Sequence, residues 1–121
     1  MLNEICIYGR ITAEPELRKT KNDTSVCQIT IACERDFATD GEKEVDFFDV
    51  VCWRSSADFV AKYFSKGQPI LVKGRLSTRF WEDKDGNNRK QTEIIADSVY
   101  FAGSAPGKEE QKPSKNSYKR R

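Results

Sequence analysis

The chain contains no histidine. It therefore lacks the side chain that most often serves as general base and metal ligand near neutral pH. Its four cysteines, Cys6, Cys27, Cys33 and Cys52, form no C-x-x-C pair, so a zinc site would need four isolated thiolates to converge. Each lies in an apolar stretch, and the expectation is small buried apolar side chains in a reducing compartment. The nucleotide-binding, zinc-protease and serine-hydrolase signatures G-x-x-x-x-G-K-[ST], H-E-x-x-H and G-x-S-x-G are absent. No catalytic residue, no metal and no cofactor is expected. No apolar run approaches the roughly 20 residues that cross a bilayer. The opening Met1-Leu2-Asn3-Glu4-Ile5 lacks the charged head and apolar stretch of a secretion signal, which leads to an expected location in the cytoplasm, with the nucleoid.

A surplus of one charge is also missing from most of the chain. Residues 1–101 hold 15 Lys+Arg against 17 Asp+Glu, a net of −2, whereas residues 102–121 hold a net of +4. Any claim of anion binding must then rest on where the cations stand and not on their sum. Apolar periodicity stops at Phe101, and the Gly, Pro, Lys, Glu and Ser that follow bury too little to order themselves. The expected organisation is one domain over residues 1–103 and a flexible basic tail over 104–121.

What is present in the body is mainly strand signal. Residues 2–12 read as a first strand, with Gly9 suggesting a bulge or bend. In residues 25–37, Cys27, Ile29, Ile31 and Cys33 fall on one face, and Gln28, Thr30 and Glu34 on the other. A polar turn leads into a strand over 45–53. One helix is expected at about 56–66, capped by Ser55 or Ser56, with Val60, Ala61 and Phe64 on one face and Gly67 at its stop. Strands over 69–79 and 91–101 follow, joined by a hairpin loop at Asp83–Asn88. Three strands, a helix and two strands is the order of the five-stranded OB-fold barrel, with its helix between strands 3 and 4. The fold class is all-β.

Parity sharpens the functional reading. Phe48, Val50 and Cys52 share one face of the strand over 45–53, the expected core face, and Phe47, Val51 and Trp53 the other, so it is apolar on both. On the next strand, Ile70, Val72 and Leu76 share the expected core face with Gly74, and Lys73, Arg75 and Arg79 share the other side with Trp81. Such a mixed face is commonly just solvated, and Phe47 or Trp53 could equally pack under a loop or between subunits. Yet cations interleaved with large aromatics are what a groove for unpaired nucleic acid needs. Cations take phosphates and release counterions, and aromatic faces stack bases at about 1–3 kcal/mol each with little sequence preference.

Several segments carry a family resemblance: Met1-Leu2-Asn3, Tyr8-Gly9-Arg10-Ile11-Thr12, Glu14-Pro15-Glu16-Leu17-Arg18, Val50-Val51-Cys52-Trp53-Arg54, Tyr63-Phe64-Ser65-Lys66-Gly67, Lys73-Gly74-Arg75-Leu76-Ser77-Thr78-Arg79, Trp81-Glu82-Asp83 with Gly86, and Thr92-Glu93-Ile94. In this order and spacing the chain resembles bacterial and phage single-stranded DNA-binding proteins over residues 1 to about 101. The resemblance implies an OB-fold homotetramer, or in some members a dimer, wrapped by single-stranded DNA. The DNA is bound without strong sequence preference and is protected and presented during replication, recombination and repair. It maps base-stacking roles onto Phe37, Phe47, Trp53 and Trp81, with Phe37 and Phe47 where relatives often carry tryptophan. Phosphate contacts map onto Arg10, Arg18, Lys73, Arg75, Arg79 and Arg89, with Arg35 and Arg54 as weaker candidates. For Arg18 a salt bridge to Glu14 or Glu16 is the competing role.

Cellular members of that family close on an acidic tip that recruits partner enzymes, whereas this sequence closes on Tyr118-Lys119-Arg120-Arg121. The expectation is a phage or accessory paralogue without partner recruitment, its tail adding to DNA affinity. The competing function is that of an OB-fold adaptor, akin to primosomal proteins, working through protein contacts. An OB-fold nuclease is disfavoured, since Asp83 and Asp85 suit a turn better than a carboxylate pair.

Overall fold

Residues whose side chains alternate between apolar and polar form the strands of this protein, and the alternation sets which face turns inward. The computed structural model describes residues 1–36 and 44–103. Phe37 and residues 104–121 lie outside the described residues. The elements are β1 (Ile5–Ile11), β2 (Glu16–Lys19), β3 (Ser25–Glu34), β4 (Val45–Trp53), α1 (Ser55–Tyr63), β5 (Pro69–Glu82) and β6 (Asn88–Phe101). In β3 the buried positions Ser25, Cys27, Ile29 and Ile31 recur every second residue, the period of a pleated strand with one face in a core.

The sheet runs β1-β5-β6-β4-β3, and β3 pairs back onto β1 to close a ring. Neighbours are antiparallel except β4 and β6, which run parallel. Five strands in a partly open ring, with α1 between the third and fourth of them, make the expected OB-fold. The ring is not a regular barrel. Its β1–β3 seam registers only Arg10↔Ala32 and Ile11↔Ile31, and its β4–β6 seam only Val50↔Ile94 and Val51↔Ile95.

A sixth strand, β2, goes beyond the expected five. It pairs Glu16↔Gln28 through Lys19↔Ser25 along the first half of the β3 edge whose second half meets β1. All four of its residues are exposed, so backbone pairing, helped by one bond from Lys19 Nζ to Ser25 Oγ at 3.1 Å, holds it and no apolar pattern announces it. It also moves the helix to a place after the fourth strand in chain order.

Ile7, Ile11, Ile29, Ile31, Val50, Ile70, Val72 and Ile94 fill the ring, and Ala57 and Val60 of α1, with Phe64 just past its end, plug the open end. Gly9 causes no bulge: it registers with Ile70, and a Cβ there would collide with the Ala32 carbonyl and lie 2.7 Å from Ile31 Cγ2. Its role is close approach at the β1–β3 seam. The register shift falls instead between Lys73 and Gly74. The helix starts without the expected serine cap. Arg54 holds the cap position at φ 55°, a region that favours glycine, and no side chain caps the helix. The Arg54 amide donates to the Ser25 carbonyl at 2.8 Å, which ties the strained turn to β3.

Two inward residues lie at the rim. Phe48 and Leu76, expected in the core, are 36% and 45% exposed because β4 and β5 run past the edge of the packed interior. Beyond that edge β5 and β6 continue as a two-stranded arm. Its tip is built by Asp83, whose Oδ1 accepts from the Asp85 and Asn87 amides at 3.0 and 2.9 Å. The cysteines divide. Burial pushes the Cys52 thiol up to about 12 and raises that of Cys27. Cys33 is only half-buried and Cys6 is exposed, contrary to the expectation, since Cys6 shares the outward parity of Tyr8 and Arg10 on β1. None of the helices in the described residues is long and apolar enough to cross a membrane.

Candidate nucleic-acid interface

A groove crosses the outer face of the ring between the loop after β1 and the β5–β6 arm. It consists of two adjoining hollows of about 320 and 490 Å³. Both are lined by Ala13, Glu14, Gln28, Val51, Arg79 and Glu93. Strand register explains this gathering. Gln28 stands opposite Val51 and Glu16, and Val51 opposite Ile95, which itself stands opposite Arg75. One transverse row therefore joins four strands of the ring and β2. A second row, Arg18–Val26–Trp53, closes one end of the groove.

A chain of hydrogen bonds fixes the other end. Thr30 Oγ1 donates to Asp49 Oδ1 at 3.0 Å, and Gln91 Nε2 donates to Asp49 Oδ2 at 3.2 Å. Arg79 Nη2 donates to Gln91 Oε1 at 3.0 Å. The Arg79 guanidinium also lies over the Trp81 ring, 4.6 Å from its centroid, where cation–π attraction holds it. Glu93 forms the floor beneath Arg79, Nε to Oε1 being 3.9 Å.

The structure brings Arg18, Trp53 and Arg79 into this groove and sets Trp81 beside it on the arm. Phe47 shares the face of Trp53 on β4 but is six residues away, about 20 Å along a strand, and is 65% exposed. It is a separate flat surface outside the groove. Phe37 lies outside the described residues. Arg75 faces outward and, with Arg54, has no ion pair among the described residues.

The remaining phosphate candidates are already engaged. Arg18 Nη2 is 3.8 Å from Glu16 Oε1. Arg10 donates to the Gly67 carbonyl at 3.0 Å. Lys73, between Cys6 and Ser98 on the β1–β5–β6 wall, pairs with Glu4 at 3.1 Å, which raises its pKa. Arg89 Nε donates to Asp83 Oδ2 at 2.7 Å and holds that carboxyl below the ordinary aspartate range. Arg35 forks onto Asp46 at 3.0 and 3.1 Å and also meets Glu44, lowering the Asp46 pKa. Such exposed pairs are individually weak, so a phosphate can compete with the carboxylate, least readily at Arg35, which is held by two of them.

The polar floor of Gln28, Thr30, Asp49, Gln91 and Glu93 was not among the sequence candidates. Parity placed Gln28 and Thr30 on the polar side of β3, and Glu93 sits in the recurring Thr92-Glu93-Ile94 segment, but neither signal gives them a common site. The groove offers flat aromatic surface, a few cations and one buried carboxylate, Glu93. Among the described residues no three His, Cys, Asp or Glu side chains converge as a metal site.

A model of the single-strand binding protein family matches residues 2–102. A single-stranded DNA-binding protein of Bacillus cereus is 43% identical over 117 residues, covering 96% of this chain and 69% of the relative. Single-stranded DNA-binding protein 2 of Staphylococcus aureus is 46% identical over 102 residues, 84% of this chain and 72% of the relative. The single-stranded DNA-binding protein of Clostridium tetani is 43% identical over 101 residues, 83% and 70% of the two chains.

Proposed function

The chain belongs to the single-strand binding protein family, and from that premise we propose that its groove holds single-stranded DNA by binding alone, without catalysis. Bases stack on Trp53, Trp81 and Phe47, with Phe37 as a further station, while Arg18, Arg75 and Arg79 take phosphates. Arg54 joins as the strand wraps further, and so do Arg10, Arg35, Lys73 and Arg89 once the strand displaces their present partners. The observation that carries the reading is the groove itself, which places Trp53 and Arg79 on one surface. The protein coats unpaired strands and presents them for replication, recombination and repair.

The protein does this as a homo-oligomer, a tetramer or a dimer. Support comes from the row Tyr8–Leu71–Tyr100, aligned across β1, β5 and β6, in which both tyrosines are at least half exposed. A second copy covering that row leaves the groove open. The basic tail reaches further phosphates, so ending the chain at Gly103 should flatten the salt dependence of binding. The log–log slope should fall by about 0.7 for each phosphate the shortened chain no longer neutralises.

Fluorescence titration tests the core of the reading, because Trp53 and Trp81 are the only two tryptophans. Oligo-dT should quench them and duplex DNA of equal length should not. A full-length protein that oligo-dT leaves unquenched and unbound would be acting through protein contacts instead.

A further inference from the structure

The Glu93 side chain is 10% exposed and lines both hollows of the groove. Its Oε1 is shut off from solvent and accepts no hydrogen bond. The cation paired with it, Arg79, stands 3.9 Å away, beyond hydrogen-bond reach. Asp49, nearby in the same groove, has both oxygens satisfied by Thr30 and Gln91. A buried acceptor without a donor is destabilising and rare. When it lies in the floor of a binding groove, the ligand is the natural source of the missing donor.

We propose that Glu93 accepts a hydrogen bond from the exocyclic amino group of a base, so that this position of the groove favours cytosine, adenine and guanine over thymine. The proposal rests on the reading that the groove holds single-stranded DNA. Arg79 is the cover over the site: its side chain is half exposed, and it is held by Gln91 and by the Trp81 ring. A phosphate that draws the guanidinium outward uncovers Oε1 and takes away the positive charge paired with it. Cytosine N4 and adenine N6 carry donors that can fill the gap. Thymine places its O4 acceptor where cytosine has N4, and its one ring N–H lies between two carbonyl oxygens, so a carboxylate repels it. Glu14 and Asp49 in the same floor add negative charge that turns phosphates toward the rim and bases downward. Discrimination then comes from repelling the wrong group as much as from attracting the right one.

The test is the ratio of dissociation constants for dC and dT oligomers of one length, for the full chain and for Glu93→Gln. Glutamine keeps the shape but offers both a donor and an acceptor, so it tolerates thymine O4. The variant should raise the dC-to-dT ratio of Kd about fivefold or more, the lower end for one base contact. Equal ratios in the two proteins would overturn the proposal. A second arm needs no variant: the unaltered protein is titrated with a dC oligomer and with one whose cytosines are replaced by 2-pyrimidinone, which lacks the amino group. Weaker binding of the replaced oligomer is expected, and identical binding overturns the proposal. If the protein binds neither dC nor dT, the reading of the groove itself has failed. Tight binding of both with no amino-group effect sinks only the role of Glu93.

Discussion

Replacing Trp53 with alanine removes the largest flat side chain at the end of the groove, and its effect can be worked out in two parts. Trp53 is 38% exposed, so most of the ring already rests on protein, with Val26 across from it on β3. The exposed part is what a base can cover. Removing one aromatic–base stack costs about 1–3 kcal/mol, a factor of roughly 5–150 in Kd. Removing the packed part costs stability, which a thermal melt reads separately. Trp53→Phe keeps a smaller stacking face and should fall between the two proteins. The assay is anisotropy of a labelled dT oligomer, titrated well below the melting temperature of each variant. In Trp53→Ala any remaining fluorescence change on binding reports Trp81 alone. A folded Trp53→Ala protein that binds dT as tightly as the unaltered chain would refute the stacking role and make Trp53 a scaffold residue.

Three further outcomes follow from the same geometry. Gly9→Ala should lower stability by about 1–3 kcal/mol through overpacking against Ala32 and Ile31, and so lower Tm by several degrees. Affinity for dT at low temperature should stay the same. Arg79→Ala should reduce the log–log salt slope of dT binding by about 0.7, the share of one phosphate. Arg35→Ala should change it less, because Arg35 is committed to Asp46 and Glu44, and equal reductions would show that such pairing does not restrain a cation. Asp46 and Asp83 are held below their ordinary value of 3.8 by Arg35 and Arg89. Each therefore adds stability that is present above about pH 4 and lost as pH falls through the lowered folded value. Melting curves of Asp46→Asn and Asp83→Asn from pH 7 to pH 2 should show a smaller acid-induced fall in Tm than the unaltered protein.

The strand order was legible because residues such as Cys27, Ile29 and Ile31 repeat at the period of a strand with one wet face. β2 was not, since Glu16-Leu17-Arg18-Lys19 joins the sheet mainly through its backbone and buries no side chain. Parity assigns a side but not a depth, which is why Phe48 and Leu76 read as core and stand at the rim. The serine cap failed because the chain turns at Arg54, where tertiary pairing to Ser25 imposes a conformation that local preference would not select. Among the site candidates the aromatics stood out in the sequence because large rings on an outward parity have no core to fill, and of those in the described residues only Trp53 lines the groove. The polar floor depends on register between distant strands: Asp49 and Gln91 are 42 residues apart in the chain, and no local pattern links them.

The two short seams give the ring an unequal tolerance of local opening. The β3–β4 ladder registers nine residue pairs, and its amides should exchange with solvent only through global unfolding. The β1–β3 and β4–β6 lines register two pairs each, so they form the low-energy boundary between two cooperative units, a β3–β4 ribbon and a β1–β5–β6 sheet. The groove lies across the second of these lines, with Val51 on one unit and Glu93 and Arg79 on the other. A bound strand that touches both banks acts as a suture. Its signature would be slowed amide exchange along that line, while the β3–β4 ladder keeps its own rate.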